Sequence, residues 1–350
     1  MTALLRELRH LILQEGPIPV ARYMAICLGD PRHGYYATRD PLGAGGDFVT
    51  APEISQMFGE LIGLWLTDLW HRAGRLPAHY VELGPGRGTL AADARRAMRA
   101  AAFDPPVHLV EISPVLRAAQ AKLVPDACWH HDLSSLPGDG ALLVVANEFF
   151  DALPVRQLEA TQSGWRERLV GHDGARFFPA PGPSVPDGLI PDTLRDAPPG
   201  TIVETSPAAT AVAAGLAARL KAQGGAALIV DYGHARTGTG DTLQAVARHA
   251  FADPWADPGG RDLTAHVDFE ALAASASGEG VRTFGPRAQG EWLEAMGIGA
   301  RSAALSRSRP ERADELAAAR ERLVAPGQMG DLFKAMALIA PGWPHPEGFA

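Results

Sequence analysis

Hydrophobic and polar positions follow two alternating spacings along the centre of the chain. Short apolar runs, each typical of a strand buried on both faces, occur at 79–83, 107–112, 141–146 and 226–231. Apolar residues at helical spacing predict helices between these runs, at 89–102, 114–123 and 207–222. Strands that alternate with helices in this way predict an α/β fold with a parallel sheet.

The flanking segments predict further helices and a hairpin. The first 16 residues carry a helical apolar face, and Thr50 to Glu53 form a capping box that predicts one long buried helix ending near Gly74. Residues 155–178 predict a β-hairpin, followed by a surface loop at 179–200, and 236–261 predicts an irregular segment. The remaining spacing predicts helices at 269–276, 289–296 and 311–324 and a last strand at 333–339.

Composition and charge narrow the class of protein. The chain has 350 residues, 46% of them hydrophobic, so it can bury a full core and carry a second lobe or a large insertion. Its 40 acidic and 32 basic residues give a net charge of -8, which argues against a general nucleic-acid binder. No apolar run approaches the roughly 20 residues of a membrane span. Cys27 and Cys128 are too few for a disulfide scaffold or a Cys-based zinc site, so we expect a cytoplasmic protein.

The loop VELGPGRG follows the first central strand and opens a helix. Its glycines, Gly84, Gly86 and Gly88, let a ligand approach the backbone near free N–H groups. The loop lacks the lysine of a triphosphate-binding loop, and its glycine spacing differs from that of a dinucleotide-binding loop. Glu82 at the strand end would repel a pyrophosphate but suits a ligand that carries an ammonium and a sulfonium. We therefore predict S-adenosylmethionine as the ligand.

Two acidic residues at the ends of the next strands extend this cofactor site. Glu111 follows the apolar run VHLV, where a carboxylate can accept hydrogen bonds from ribose hydroxyls. Asp132 ends the following candidate strand and could accept a hydrogen bond from an adenine amino group. The alternative is a structural turn with solvated acids.

The stretch NEFFDALP follows the apolar run ALLVVA and lies at the carboxyl edge of the predicted sheet. Methyl transfer is an in-line displacement, so the enzyme must align the nucleophile. If the nucleophile is an arginine, a fork of carboxylates from Glu148 and Asp151 can orient it, with Asn147 beside them. The alternative for Asn147 and Asp151 is that they cap the turn.

Several motifs together resemble the MidA family, which includes a mitochondrial arginine methyltransferase that is a complex I assembly factor. They are GDFVTAPEIS, VELGPGRGTLAAD, NEFFDALP, DYGH, GDTLQAV, DPGGRDLTAHVDF and MGDLFKAMAL. The resemblance covers nearly the whole chain. It implies a class I, Rossmann-like methyltransferase fold that uses S-adenosylmethionine and releases S-adenosylhomocysteine, without a metal. It also implies a protein substrate, an arginine in a complex I core subunit for the mitochondrial members.

The resemblance also carries expectations about domains and location. We expect residues 1–75 to form an N-terminal helical region that closes over the cofactor. Residues 76–350 are then the methyltransferase core, with insertions at about 155–200 and 236–310. The expected location is the bacterial cytoplasm, or the mitochondrial matrix for eukaryotic relatives, and a homodimer stays open.

Other polar and aromatic residues are candidates for the walls of the site. Phe48 and Thr50 could close over the methionine end of the cofactor, although Thr50 could simply cap the following helix. Tyr35, in a short predicted strand, could line the substrate side or belong to the core. His234 and His266 follow or precede predicted elements at the sheet edge and are substrate-side candidates, with loop fixation as the alternative. Two rival functions remain: methylation of a small molecule or another side chain, and a cofactor-binding assembly chaperone.

Overall fold

A small helical lobe begins the chain in the computed structural model, which describes residues 2–38, 49–247 and 250–349. Its elements are α1 (Ala3–Glu15), β1 (Ile18–Pro19), α2 (Val20–Gly29) and α3 (Tyr35–Thr38). The predicted first helix is confirmed, with Leu4, Leu8 and Ile12 buried on one face. The short strand expected around Tyr35 is wrong, because this residue begins α3. The candidate Phe48 lies outside the described residues.

The long helix predicted from the capping box is divided in two. Its parts are α4 (Ala51–Ile54) and α5 (Gln56–Arg72). Ser55 between them is extended, with φ of -161°, and its hydroxyl accepts a hydrogen bond from the N–H of Met57 at 3.2 Å. Thr50 makes no such capping bond, and the carboxylate of Glu53 accepts from the hydroxyl of Thr89 instead. The capping box is therefore wrong, and Ser55 caps the long helix.

This difference can be tested on the stability of the protein. Ser55→Ala is expected to lower the free energy of unfolding by about 1 kcal/mol, since an N–H group at the start of α5 loses its acceptor. Thr50→Val, which removes only a hydroxyl that caps nothing, is the matched control and is expected to change it far less. Urea unfolding measures the free energy of unfolding of both variants. An equal decrease in the two variants would contradict the assignment of the cap to Ser55.

The first half of the central sheet consists of parallel strands separated by helices. The elements are β2 (Ala78–Leu83), α6 (Thr89–Ala100), β3 (Val107–Val110), α7 (Pro114–Leu123), β4 (Cys128–His130) and β5 (Ala141–Asn147). β2 lies between β3 and β5 and is parallel to both, and β4 continues the sheet beyond β3. The chain leaves β2 toward β3 and later returns to the other side of β2. Ligands of open α/β sheets bind at such a reversal, outside the carboxyl ends of the strands.

A separate antiparallel sheet follows. Its strands are β6 (Arg156–Thr161), β7 (Gly164–His172), β8 (Phe177–Ser184) and β9 (Ile202–Thr205). The order is β1-β7-β6-β9, with β8 paired to β7, so the predicted hairpin is confirmed. The surface loop predicted from residue 179 is wrong for its first part, because β8 continues to Ser184 through three prolines. Proline is tolerated there because β8 pairs with β7 alone among the described strands and therefore has a free edge.

The chain then returns to the central sheet. The elements are α8 (Pro207–Gln223), β10 (Gly225–His234), β11 (Gln244–Ala247), β12 (Ala250–Ala252), β13 (Asp262–Thr264) and β14 (Val267–Asp268). β10 is parallel to β5, and β11 pairs with both β12 and β13 in a small antiparallel sheet. The segment predicted as irregular at 236–261 therefore contains two strands.

The C-terminal part completes the central sheet with antiparallel strands. Its elements are α9 (Phe269–Gly278), β15 (Arg282–Ala288), α10 (Gln289–Ala295), α11 (Ile298–Ser308), α12 (Ala313–Val324), α13 (Met329–Leu332) and β16 (Phe333–Ile339). The strand order is β15-β16-β10-β5-β2-β3-β4. The predicted α/β fold is confirmed, with a mixed rather than an all-parallel sheet. Within the ranges that the structure describes, we find no helix with the length and apolar character needed to cross a bilayer.

Candidate active site

A cavity of about 790 Å³ opens at the carboxyl ends of β2, β3 and β5. Segments far apart in the chain form its walls, including α3, the start of α4 and the β11–β12 hairpin. The cavity brings together most of the predicted site residues: Thr50, Glu82, Gly84, Gly86, Glu111, Asp132, Asn147, Glu148, Asp151 and His266. Gly88, Tyr35 and His234 do not line it.

The glycine loop between β2 and α6 has a backbone that requires glycine. Gly84, Gly86 and Gly88 all have positive φ, at 59°, 54° and 85°. A Cβ on Gly84 would lie 2.9 Å from Cδ2 of Phe149. This glycine therefore lets the loop and the Phe149 ring approach each other beside the cavity. Gly88 forms the N-terminal boundary of α6, just behind the lining.

Two buried carboxylates flank this loop. Glu82 at the end of β2 is 3% exposed and accepts a hydrogen bond from the hydroxyl of Tyr80 at 2.7 Å. Burial raises the pKa of Glu82 to about 8. Glu111 follows β3, and its Oε1 accepts from the N–H of Ser113 at 2.7 Å. Burial also raises the pKa of Glu111.

Gln120 on α7 connects the glycine loop to Glu111, a contact that no sequence motif predicted. Its Nε2 donates to the carbonyl oxygen of Gly86 at 2.7 Å and to Oε2 of Glu111 at 3.2 Å. Its Oε1 accepts from the indole N–H of Trp129 at 2.8 Å, which fixes the orientation of the amide. This fully buried amide therefore holds Glu111 against the glycine loop.

Asp132 lies beyond β4 at the exposed end of the cavity. Its Oδ1 accepts from the N–H of Ser134 at 2.8 Å and from the hydroxyl of the same residue at 2.5 Å. These bonds lower the pKa of Asp132. Oδ1 thus closes a turn, while the residue still contributes to the lining.

The opposite end of the cavity holds the predicted acceptor residues at the end of β5. Glu148 has a φ of 50°, which is uncommon for a residue other than glycine. Its Oε1 accepts from the N–H of Ala51 at 3.3 Å and from Nδ2 of Asn147 at 3.2 Å. Burial, with a further contribution from the charge of Asp151, raises the pKa of Glu148 to about 8.

Asp151 has the least satisfied carboxylate of this end. It is 6% exposed, and burial raises its pKa to about 6 even though the hydroxyl of Tyr232 opposes the rise. Its Oδ1 is buried and has no hydrogen-bond partner among the residues that the structure describes, as is also true for Oδ1 of Asn147. Buried polar atoms rarely stay unpaired, so these oxygens indicate a missing donor.

Asp231 of the DYGH motif is a further residue that was not predicted for the site. It is fully buried on β10, and four backbone N–H groups donate hydrogen bonds to its carboxylate. Oδ2 accepts from Phe149, Phe150 and Asp151 at 3.1, 2.9 and 3.3 Å, and Oδ1 accepts from Tyr232 at 2.9 Å. The segment that carries the acceptor residues is therefore tied to β10.

Aromatic and histidine side chains form the remaining walls, partly as predicted. Tyr35 packs in the hydrophobic core of the N-terminal lobe, and the neighbouring Tyr36 lines the cavity instead. The hydroxyl of Tyr36 donates to Oδ1 of Asp262 at 2.9 Å, and its carbonyl accepts from the hydroxyl of Ser113 at 2.6 Å. Tyr36 therefore joins the acceptor side of the cavity to the segment beside Glu111.

The two histidine candidates lie on different sides of the cavity wall. His266 lines the cavity with its ring 5.6 Å from that of Tyr232, and burial lowers its pKa. His234 lies behind it, with Nε2 4.0 Å from Oδ2 of Asp268. The described ranges contain no group of three or more His, Cys, Asp or Glu side chains that could hold a metal ion.

These residues fit S-adenosylmethionine. Gly84 and Gly86 line the cavity without a side chain, so a ligand can lie against the loop backbone, and Glu82 offers a carboxylate for an ammonium group. Glu111, whose second oxygen accepts from the amide of Gln120 and which lines the cavity, suits ribose hydroxyls. A family model described as an S-adenosyl-L-methionine-dependent methyltransferase matches residues 61–287. The chain belongs to this MidA-like methyltransferase family.

Relatives support the family membership over almost the full length. The Drosophila melanogaster protein arginine methyltransferase NDUFAF7 homolog, mitochondrial, is 39% identical over 96% of this chain and 85% of its own length. The human protein arginine methyltransferase NDUFAF7, mitochondrial, is 38% identical over 97% of this chain and 84% of its own. The eukaryotic relatives are thus mitochondrial by name.

A solved structure confirms the fold and the cofactor class. It is a crystal structure of a superfamily member from Burkholderia thailandensis bound to S-adenosylhomocysteine, with a TM-score of 0.86 and 30% identity. The match covers 99% of this chain and 92% of that one. The prediction of an enzyme of the class I methyltransferase fold that uses S-adenosylmethionine is confirmed.

Proposed function

We propose that this methyltransferase transfers a methyl group to a guanidino nitrogen of an arginine in a protein. The observation that carries the proposal is the pair of buried carboxylates, Glu148 and Asp151, with Oδ1 of Asp151 lacking a donor among the described residues. A guanidinium keeps its charge and offers five N–H donors in a planar fork. It would supply a donor to Asp151 and a positive charge between two buried acids, where burial and the charge of Asp151 raise the pKa of Glu148.

The charge of the cavity favours a cationic acceptor over an anionic one. Arg87 is the sole Lys or Arg among the described lining residues, and it faces Glu53 at 4.0 Å. The acidic residues of the lining are Glu53, Glu82, Glu111, Asp132, Glu148, Asp151 and Asp262. A carboxylate or phosphate acceptor would be repelled, whereas a guanidinium would be attracted.

In the mechanism, the chain's residues hold the reactants and take up one proton. When bound, S-adenosylmethionine supplies an electrophilic methyl group and becomes S-adenosylhomocysteine. Glu82 faces the ammonium group, Glu111 the ribose and Asp132 the adenine end. Glu148 orients the guanidinium so that one nitrogen points along the line of displacement. As that nitrogen forms its bond to carbon, it loses a proton, which Oδ1 of Asp151 accepts.

The N-terminal residues, 1–75, act as a cover in this proposal, and residues 76–350 form the core with insertions at about 155–200 and 236–310. Thr50 is 8% exposed and lies in the cavity wall. The next residue, Ala51, donates a hydrogen bond from its N–H to the carboxylate of Glu148. Tyr36 joins the same region to Asp262. Both contacts support closure of this region over the cofactor.

The pH dependence of methyl transfer follows from the two raised pKa values. Glu148 and Asp151, at about 8 and about 6, bind a cation only when they are ionised. We therefore expect kcat/KM to rise as the pH increases through 6 to 8 and then to level off. Initial rates at constant ionic strength measure the profile, and Glu167→Gln, outside the cavity, is expected to keep its shape. A flat profile from pH 6 to 9 would contradict ionised carboxylates as the acceptor site.

The acceptor protein is, in our proposal, a core subunit of respiratory complex I, and its methylation supports assembly of the complex. The MidA resemblance supports this choice, and the mitochondrial relatives named protein arginine methyltransferases support arginine in a protein. The reaction would take place in the cytoplasm of a bacterial cell. A homodimer is the assembly that we propose to test by light scattering.

The deciding experiment uses labelled S-adenosylmethionine and the proteins of a lysate that lacks this activity. One labelled protein that yields methylarginine on hydrolysis, and no label with Glu148→Gln, is the expected result. Label on another side chain or on a small molecule would replace the arginine proposal. Cofactor binding without any label, together with normal complex I assembly by Glu148→Gln, would indicate an assembly chaperone.

A further inference from the structure

The carboxylate of Asp231 lies behind the acceptor segment and out of reach of the cavity. It is fully buried, and it does not line the cavity. Both of its oxygens accept hydrogen bonds from backbone N–H groups. Three of these N–H groups belong to the consecutive residues Phe149, Phe150 and Asp151. One buried carboxyl group, whose pKa is raised by burial, therefore replaces the hydrogen bonds that a regular helix or strand would give to this segment.

The segment that Asp231 holds has an unfavourable backbone and two neighbours in the site. Glu148 has a φ of 50°, and such a conformation persists only where the surroundings fix it. The N–H of Glu148 donates to the carbonyl of Val230 at 2.9 Å, immediately before Asp231 in the chain. On the other side, the ring of Phe149 fills the space that a Cβ on Gly84 would need. The acceptor segment is thus fixed between β10 and the glycine loop.

We propose that Asp231 is a positioning residue that sets the placement of Glu148 and Asp151 relative to the cofactor loop. The role of Glu148 and Asp151 in orienting an arginine rests on the proposed function. The hydrogen bonds by which Asp231 fixes the backbone of this segment do not depend on that function. Because the three N–H groups converge on one oxygen, a small change at Asp231 moves the segment as a unit. A displacement on the order of 1 Å is enough to slow an in-line transfer strongly.

Asp231→Asn is the substitution that changes least while weakening the hold. If the NH2 group of the asparagine takes the place of Oδ2, it faces the three N–H groups of the segment. If it takes the place of Oδ1, it faces the N–H of Tyr232, and the three bonds go to a neutral amide oxygen. The matched control is Asp93→Asn, which also neutralises a mostly buried aspartate, here one on α6 that pairs with Arg96 away from the cavity. Thermal unfolding of both variants establishes that each is folded.

The first readout is hydrogen exchange, which is independent of the acceptor. In the wild-type protein the amides of Phe149, Phe150 and Asp151 are expected to be protected. In Asp231→Asn they are expected to exchange at least about tenfold faster, because the oxygen on which the three N–H groups converge is replaced by an NH2 group or by a weaker amide acceptor. Unprotected amides in the wild type, or equal rates in Asp231→Asn and Asp93→Asn, would overturn the proposal. The exchange rates of the wild-type protein test the proposal even if Asp231→Asn does not fold.

The second readout separates positioning from a general loss of structure. Methyl transfer by Asp231→Asn is expected to show a kcat at least about tenfold lower, with the KM for S-adenosylmethionine changed less than about threefold. A parallel loss of kcat, cofactor affinity and thermal stability would overturn a positioning role. If the wild type labels no arginine, the proposed function fails, and the exchange rates still test the hold on the segment.

Discussion

Glu148→Gln is expected to lower methyl transfer by about a thousandfold, the magnitude found when a preorganised electrostatic partner is removed from an active site. Glutamine keeps the shape of the side chain and can still accept from the N–H of Ala51. It loses the negative charge that attracts and orients the guanidinium. Cofactor binding is expected to change by less than about threefold, since Glu148 lies at the acceptor end.

The measurement pairs initial rates with calorimetric titration of S-adenosylmethionine. Glu167→Gln is the matched control, because it also neutralises a mostly buried glutamate, one that pairs with Arg156 outside the cavity. Its transfer rate is expected to stay near that of the wild type. A Glu148→Gln enzyme with full activity would remove this carboxylate from the mechanism.

Gly84→Ala is expected to weaken S-adenosylmethionine binding by about a hundredfold. The φ of 59° is unfavourable for alanine, and the new methyl group would lie 2.9 Å from the Phe149 ring. Together the strain and the overpacking cost about 3 kcal/mol if they are relieved by moving the loop toward the ligand space. That free energy corresponds to about a hundredfold in affinity.

The control for Gly84→Ala is Gly74→Ala. Gly74 also has a positive φ, of 93°, but a Cβ there meets nothing within 4 Å. This variant is expected to lose about 1 kcal/mol of stability and to bind the cofactor normally. Titration calorimetry of both variants separates backbone strain from the close approach to Phe149. Equal affinities for Gly84→Ala and the wild type would show that the glycine loop does not need this approach.

The central strands could be predicted because their local pattern matches their environment. Leu142 to Val145 are fully buried between helices on both faces, so the run is continuously apolar. Residues directly after such runs, Glu111 and Glu148 among them, then fall at one edge of the sheet. That these residues share one cavity could therefore be predicted from sequence alone, whereas their roles stay predictions.

Contacts between distant segments could not be predicted in this way. Gln120 lies within the helical pattern of α7, and nothing local shows that its amide meets Gly86 and Glu111. The sequence leaves Tyr35 open between the substrate side and the core; it begins α3 and packs in the core, and Tyr36 lines the cavity instead. Thr50 and Ser55 are both good caps by type, and only the extended backbone at Ser55 decides between them.

The position of the last strand has a consequence for how the chain folds while it is being synthesised. β16 (Phe333–Ile339) comes late in the chain, yet it lies inside the sheet between β10 and the edge strand β15. Until β16 arrives, the apolar strand β10 presents a row of unpaired backbone groups, and such an edge can pair with another chain. On the ribosome this edge of β10 stays exposed until residues 333–339 have emerged, long after β10 itself, and a holding chaperone would protect the incomplete sheet during that interval.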